Sequence, residues 1–171
     1  MPSEGSVSRF GLEFNTWQEP LQMQDSSGNS DSSVANYKGW AFNYERQLRT
    51  ANGGYGLLFS IGSGQASGGS TSPNFVYGQD ALSWIDFSVE PRLIWTYNEQ
   101  IDTALGVAAF YRSASWPDTV TYQVQSAHPV SGVFFVELDI ALSAHFGFRQ
   151  AFGLESATGG PFFRWGLTYD L

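Results

Sequence analysis

Acidic and basic side chains recur at alternate positions along much of this sequence, and they are the residues most able to do chemistry. A carboxylate with a perturbed protonation equilibrium can act as a general acid or base. Arginine forms planar, bidentate pairs with carboxylates, and arginines are interleaved with the acids here. We therefore expect structural ion pairs rather than acid–base catalysis. The set consists of Glu13, Glu45, Asp86, Glu90, Asp102, Glu137, Asp139 and Asp170 with Arg9, Arg49, Arg92, Arg112, Arg149 and Arg164.

The two histidines are the remaining candidates for catalysis. A histidine beside a serine can activate that serine as a nucleophile, and the nearest such pair is His128 and Ser131. Pro129 lies between them in a polar stretch, so we interpret His128 as an inert loop residue. His145 is predicted to be a solvated turn residue. No catalytic residue is therefore predicted.

Metal binding is poorly supported by the sequence. Structural zinc sites use several cysteine and histidine ligands, and the chain has no cysteine and so no disulfide. Asp25 and Asp31 lie in a polar stretch, but they lack the dense Asp/Asn spacing of a calcium loop. We interpret them as solvated loop residues and expect neither a metal nor a cofactor.

The composition limits the class of protein. The 171 residues suffice for one domain with a core, and we predict a single domain over 1–171. A net charge of −8 argues against nucleic acid as a partner, because phosphate binding needs a basic surface. Charged residues make up 14% and aromatic residues 16% of the chain, whereas charges reach roughly 25% in ordinary soluble domains. This balance favours a transmembrane β-barrel.

Neither a spanning helix nor a signal peptide is visible in the sequence. No apolar run approaches the roughly 18 residues that a spanning helix needs. The first residues, Met1 to Ser6, are polar and lack the basic and apolar regions of a signal peptide. If the protein is exported, we expect a mature sequence, after signal-peptide removal, with an added initiator Met.

The last stretch, Phe162 to Leu171, indicates which elements position the charged residues. Every second residue from Phe163 to Leu171 is large and apolar, and those between are small, polar or charged. A strand turns successive side chains to opposite faces, so this is a strand with one apolar and one polar face. It resembles the closing strand of a bacterial outer-membrane β-barrel, although such strands usually end in Phe or Trp. An edge strand of a soluble sandwich can show the same alternation.

The alternation recurs along the whole chain and predicts an all-β fold, an eight-stranded antiparallel transmembrane up-and-down β-barrel. The resemblance to small Gram-negative outer-membrane barrels covers nearly the whole chain and is one of pattern. Such barrels have short periplasmic turns and longer extracellular loops, which implies that both termini are periplasmic. We predict a polar N-terminal segment over 1–8, long loops over about 18–33, 63–80, 113–131 and 154–161, and short turns at about 50–54, 98–100 and 143–145.

Residue size and charge indicate which face points outward. The polar set contains many small residues and charges of both signs, which suits a paired interior better than a soluble coat. Two positions depart from the pattern. Pro91 removes a ladder hydrogen bond, so we expect a bulge or bend there. Trp84 falls at a position of the polar set, so we expect a bulge or the margin of a loop there. The predicted outward and girdle residues are Trp40, Tyr44, Tyr55, Phe87, Trp95, Tyr97, Tyr111, Phe134, Leu138, Trp165 and Tyr169.

The interior of an eight-stranded barrel has room for its own side chains or one small ligand, so we expect the charged residues to plug the lumen. The resemblance then implies a non-enzymatic porin-like or structural protein of the bacterial outer membrane. Its implied partners are membrane lipids and the barrel-assembly machinery, which would read Phe162 to Leu171. Two alternatives remain open. One is an oligomer that binds or encloses lipid. The other is a lipid-modifying enzyme, in one family of which a His and a Ser lie two positions apart, unlike His128 and Ser131.

Overall fold

The computed structural model describes residues 5–25, 27–69, 82–114, 122–124, 129–156 and 159–171. Every strand pairing in this part of the chain is antiparallel. No helix of the described residues has the length and apolar character to cross a membrane. The strands are β1 (Gly5–Asp25), β2 (Ser30–Thr50), β3 (Gly53–Gly69), β4 (Leu82–Thr96), β5 (Ile101–Ala114), β6 (Tyr122–Val124), β7 (Val130–Ala141), β8 (Phe146–Glu155) and β9 (Pro161–Asp170).

Eight of these strands form a closed up-and-down barrel. The ring runs β2-β3-β4-β5-β7-β8-β9-β1, and β1 pairs with β2 to close it. β6 lies outside the ring, where its three residues pair with Met23 to Asp25 at the far end of β1. Closure satisfies the backbone of both edges, which is the condition for a sheet to cross a bilayer. The predicted eight-stranded fold class is confirmed.

Burial alternates along the barrel strands with a period of two, as the sequence pattern predicts. Large apolar side chains point outward and stay exposed, for example Phe87 at 52% and Phe134 at 62%. Most charged side chains of the strands point inward, and Arg149 and Glu45 are both 0% exposed. A soluble barrel has the opposite arrangement, so this one is built for an apolar surrounding.

Two of the predicted polar segments are strand over much of their length. β1 reaches Asp25 and β2 begins at Ser30, so the prediction of a loop over 18–33 is wrong for most of it. A backbone ladder needs no apolar side chains, and this hairpin continues past the point where the apolar stripe stops. Pro20 is tolerated because the β9 ladder has already ended at Trp17 and Phe162, which leaves β1 with fewer neighbours there. The N-terminal segment is also shorter than predicted, because β1 begins at Gly5.

The other predicted loops are similarly shortened. β3 continues to Gly69 along β2, so residues 63–69 are strand and 70–80 lie outside the described residues. β5 ends at Ala114 and β7 begins at Val130, with only β6 described between them. β8 extends through Glu155 and β9 starts at Pro161. We call the end of the barrel with the short β2–β3, β4–β5 and β7–β8 connections the turn end, and the opposite end the loop end.

The two irregularities predicted in β4 are absent as bulges. Val89 pairs with Ala109 and Arg92 with Gly106 in one unbroken register, although the ladder to β5 is interrupted at Glu90 and Pro91. Pro91 keeps its place opposite Leu57 of β3, so the missing N–H is absorbed without a shift. Trp84 lies inside β4, where it pairs with Gly64 of β3, and its side chain is 3% exposed. It faces inward, as its position in the alternation indicates, so the expected bulge or loop margin is wrong.

Candidate functional site: the barrel lumen

Glycines and other small residues on the inner face make room for the long charged side chains. A Cβ at Gly106 would overlap the ring of Phe135, and a Cβ at Gly56 would lie 2.5 Å from Oε1 of Glu45. The space that a Cβ would take is likewise occupied at Gly11 by Asn43 and at Gly166 by Glu13. The interior is thus packed by its own side chains, in agreement with the width of an eight-stranded barrel.

Arg149 on β8 is the centre of the lumen. Its Nη2 lies 2.5 Å from Oε2 of Glu45 and 3.2 Å from Oδ2 of Asp139, and its Nε lies 3.2 Å from Oε1 of Glu137. Nη1 lies 3.4 Å from Oε1 of Glu13. These carboxylates belong to β1, β2 and β7, so a single guanidinium joins several walls of the barrel.

Two further arginines extend this cluster toward β4 and β9. Nη1 of Arg92 lies 2.6 Å from Glu137, and its Nη2 lies 3.2 Å from Glu90. Arg164 contacts the same two carboxylates, at 2.8 Å for Glu90 and 3.2 Å for Glu137. The ring of Phe135 lies 5.5 Å from the Arg92 guanidinium carbon and 5.1 Å from that of Arg164, within cation–π range. The cluster is therefore shared and cannot be divided into separate pairs.

The turn end of the lumen is more open. Arg9 contacts Asp170 and lies 2.9 Å from Oδ2 of Asp139. Arg49 lies 2.5 Å from Oδ2 of Asp102. These groups line a cavity of about 630 Å³ that also touches the β4–β5 and β7–β8 turns. Of the four carboxylates around Arg149, Asp139 lines this cavity and the other three do not, so the cavity is a vestibule at this end.

An aromatic cluster fills part of the lumen toward the loop end. We call it the Arg112 box, and it consists of Trp17, Tyr37, Trp84 and Phe110 around Arg112. The Arg112 guanidinium carbon lies 4.1 Å from the Trp17 ring centroid and 4.5 Å from that of Phe110. Trp17 stacks on Tyr37 at 4.9 Å and meets Trp84 edge-on at 4.8 Å. Arg112 also forms an ion pair with Glu19, which accepts a 3.2 Å bond from the Trp17 indole N–H.

The structure places all of the sequence-predicted charged residues on the inner face, but it does not join them all. Asp86 is 9% exposed and forms no ion pair within the described residues. Arg49 with Asp102, and Arg112 with Glu19, are separate from the central cluster. Sequence reasoning missed the inward residues Trp17, Glu19, Tyr37, Phe110 and Glu155. For the aromatic residues parity was the available signal, and it was overlooked because large aromatic residues were assigned to the outer face. Glu19 and Glu155 lie in segments that were predicted to be loops.

The predicted outward and girdle residues all lie on the outer face. Tyr44 and Leu138 are half-buried between their neighbours, and the others are exposed. Trp40 and Trp165 meet edge-on at 6.1 Å with Phe14 between them. Aromatic side chains are therefore grouped around β1, β2 and β9 on the outside of the barrel.

Of the candidate catalytic residues, the structure describes Ser131 and His145. His128 lies outside the described residues, and the hydroxyl of Ser131 donates a 2.7 Å hydrogen bond inward to Oε1 of Glu155. His145 is an exposed turn residue whose Nδ1 lies 3.1 Å from the carbonyl oxygen of Asp170. Within the described ranges no group of three or more histidine and carboxylate residues is arranged to hold a metal ion.

Two solved structures with the same architecture are bacterial outer-membrane proteins. OprG from Pseudomonas aeruginosa matches with a TM-score of 0.60 at 11% identity, covering 98% of this chain and 97% of that one. Ail, the attachment invasion locus protein of Yersinia pestis, was solved with the heparin analogue sucrose octasulfate; it matches with a TM-score of 0.55 at 13% identity, covering 96% and 99%. No protein-family model matches the chain, and no curated protein sequence is significantly similar to it. The chain therefore has the fold of the eight-stranded Gram-negative outer-membrane β-barrels.

Proposed function

We propose that this protein is a non-enzymatic barrel of the bacterial outer membrane with a lumen plugged by its own ion pairs. The observation that carries the proposal is Arg149, which is fully buried and contacts Glu13, Glu45, Glu137 and Asp139 across the middle of the barrel. Side chains packed in this way support a lumen without a continuous water path through the central cluster. The protein then serves the envelope as a structural or poorly conducting, porin-like element.

The cluster also explains how so much charge is accommodated in a narrow interior. A buried ion is costly unless it is paired and hydrogen-bonded, and Arg92, Arg149 and Arg164 each contact several carboxylates. Shared pairing holds strands that are not neighbours in the ring. We therefore assign the lumen charges a structural role and no proton-transfer role.

Conductance across a planar lipid bilayer tests the plug directly. Purified wild-type protein should give small current steps or none. An Arg149→Ala, Arg92→Ala double variant removes two guanidinium groups from the centre and should give larger steps if it folds. An Arg46→Ala variant, altered on the outer face, is the matched control. Large steps from the wild-type protein would refute the plug.

The proposed partners follow from the proposed location in the outer membrane. The outward apolar residues would contact outer-membrane lipids, and the barrel-assembly machinery would recognise Phe162 to Leu171 after signal-peptide removal. Fractionation of expressing cells tests the location, and folded barrels of this kind should migrate differently on cold and boiled detergent gels. A protein that folds and stays soluble without detergent would contradict this placement.

Lipid turnover is not part of the proposed function. Ser131 is buried and bonded to Glu155 inside the barrel, whereas acyl chains would approach from the outside. Thin-layer chromatography after incubation with phospholipid or lipid A should show no product. A product that disappears in His128→Ala or Ser131→Ala would replace this proposal with an enzymatic one.

Binding of a heparin analogue, as in the Ail structure, is not carried over to this chain. The sequence has eight lysines and arginines. Six of them are the inward arginines of the lumen, so Lys38 and Arg46 are the outward pair. Recognition of a polyanion needs a concentrated basic surface, and this chain lacks the residues to make one.

A further inference from the structure

One outward-facing position breaks the apolar belt at its centre. On β8 the outward residues are Phe146, Phe148, Gln150, Phe152 and Leu154. Gln150 is exposed and has roughly 13 Å of apolar strand on either side of it, at about 3.3 Å per residue. Its cross-strand neighbours, Leu138 on β7 and Trp165 on β9, also face outward.

In a single barrel surrounded by lipid, an outward amide at this depth has no partner for its hydrogen bonds. Lipid tails supply no hydrogen-bond donors or acceptors, so polar side chains facing hydrocarbon are rare and tend to be functional. The side chain of Gln150 makes no hydrogen bond within the described part of the chain. Other outward polar residues lie on the loop-end side of the main apolar stripe of their strands, as Lys38 and Gln65 do, or near the turn end, as Arg46 does.

We propose that the outer face of β7, β8 and β9 around Gln150 is an interface for a second copy of this chain. A two-fold axis parallel to the membrane normal keeps every residue at its own depth, so Gln150 would meet the same residue of the second copy. An amide both donates and accepts hydrogen bonds, which makes this contact self-complementary, as an isologous interface requires. Hydrogen-bond complementarity at matched depth therefore selects a second copy over an unrelated partner.

The surrounding side chains suit such a contact. Phe148 and Phe152 lie above and below Gln150 on the same strand, and Trp165 lies beside it. Because lipid already covers apolar side chains, association in a bilayer depends on packing and on hydrogen bonds between the partners. Aromatic side chains would provide the packing, and the paired glutamines would fix the relative position of the barrels.

Cross-linking in phosphatidylcholine vesicles tests the position of the interface. The wild-type chain has no cysteine, so single cysteines can be introduced cleanly. Phe152→Cys keeps Gln150 and places a thiol on the proposed face, whereas Phe59→Cys lies outward on β3, on the opposite side of the ring. At a low protein-to-lipid ratio, a short bis-maleimide should give a dimer band for Phe152→Cys and little for Phe59→Cys. Equal bands would mean random collision and would overturn the proposal.

The role of the amide is tested by Gln150→Leu, with Gln65→Leu as the matched control on the outer face of β3. Gln150→Leu should weaken dimerisation by about tenfold, the effect of a hydrogen bond between membrane segments. Gln65→Leu should leave it unchanged, and both variants should keep the gel shift of the folded barrel. A wild-type protein that sedimentation equilibrium shows to be a monomer, or a Gln150→Leu variant that dimerises normally, would refute the interface.

Discussion

Arg149 on β8 donates a hydrogen bond of 2.5 Å to Oε2 of Glu45 on β2, although β9 and β1 separate these two strands in the ring. Both residues are fully buried. The bond therefore crosses the lumen, and it joins two walls that are three strands apart in the ring. Backbone ladders hold each strand to its neighbours, and contacts of this type hold the barrel across its middle.

Removal of the Arg149 guanidinium should destabilise the barrel strongly. Arg149→Leu leaves Glu45, Glu137 and Asp139 close together without their shared cation. Breaking a buried pair by removing one partner costs about 3–5 kcal/mol, so the free energy of unfolding should fall by that order. Urea unfolding in phosphatidylcholine vesicles measures it.

A matched substitution on the outer face controls for this prediction. Arg46→Leu removes an exposed arginine that donates a hydrogen bond to Ser8, and such surface changes usually stay within about 0.5 kcal/mol. A second change, Glu45→Gln in the Arg149→Leu background, should restore part of the loss, because without Arg149 the buried Glu45 carboxylate keeps only its longer 3.5 Å contact with Arg92. Equal losses for Arg149→Leu and Arg46→Leu would show that the cluster contributes nothing particular.

Packing on the inner face predicts a second effect, at Gly106 on β5. A leucine there would overlap the ring of Phe135, its cross-strand neighbour on β7. Overpacking of a filled interior typically costs about 1–3 kcal/mol, so Gly106→Leu should lower the free energy of unfolding accordingly. The additional change Phe135→Ala should recover part of that loss. Ala109→Leu, on the outer face of β5, should have little effect, and a similar loss there would contradict the packing argument.

The sequence was sufficient to predict which face of each strand points inward. The period of two divides the side chains into two faces, and small residues with charges of both signs identify the inner face. The sequence did not predict where β1 and β2 end. Beyond Trp17 and Val34 the side chains are mostly polar, and a backbone ladder between polar strands leaves no apolar signal. The contacts across the lumen could not be predicted from the sequence either. The stagger of the strands places Arg149 at the same level of the barrel as Glu45.

The Arg112 box shows a different limitation of sequence reasoning. Trp84 had inward parity and was interpreted as an irregularity, since a large aromatic residue was expected to face lipid. In the structure it packs against Trp17 and fills part of the lumen toward the loop end. A small number of large aromatic residues therefore fill the interior where the arginine cluster ends.

Truncation of Trp84 should test that role. Trp84→Ala removes a 3% exposed side chain from the box, and large-to-small changes of buried aromatic residues cost about 3–5 kcal/mol. Trp95→Ala on the same strand removes a side chain that is 47% exposed on the outer face, and its effect on the free energy of unfolding should be smaller. The comparison is made by urea unfolding in the same vesicles. If Trp95→Ala proves the more damaging, the box has no role in filling the lumen.

The carboxyl-terminal residue allows assembly in cells to be separated from folding in the test tube. Leu171 is 71% exposed, and its backbone N–H donates a 3.0 Å bond to Ser8. Leu171→Ser keeps that backbone bond and loses little burial, so folding in detergent should be nearly unchanged. Because we propose that the assembly machinery reads Phe162 to Leu171, the same variant should reach the outer membrane in smaller amounts. Leu171→Phe, which restores the usual last residue of this class, should assemble at least as well as the wild type. If Leu171→Ser lowered folding in detergent and assembly in cells to the same extent, the cause would be a stability defect. If it assembled normally in cells, recognition through this residue would be ruled out.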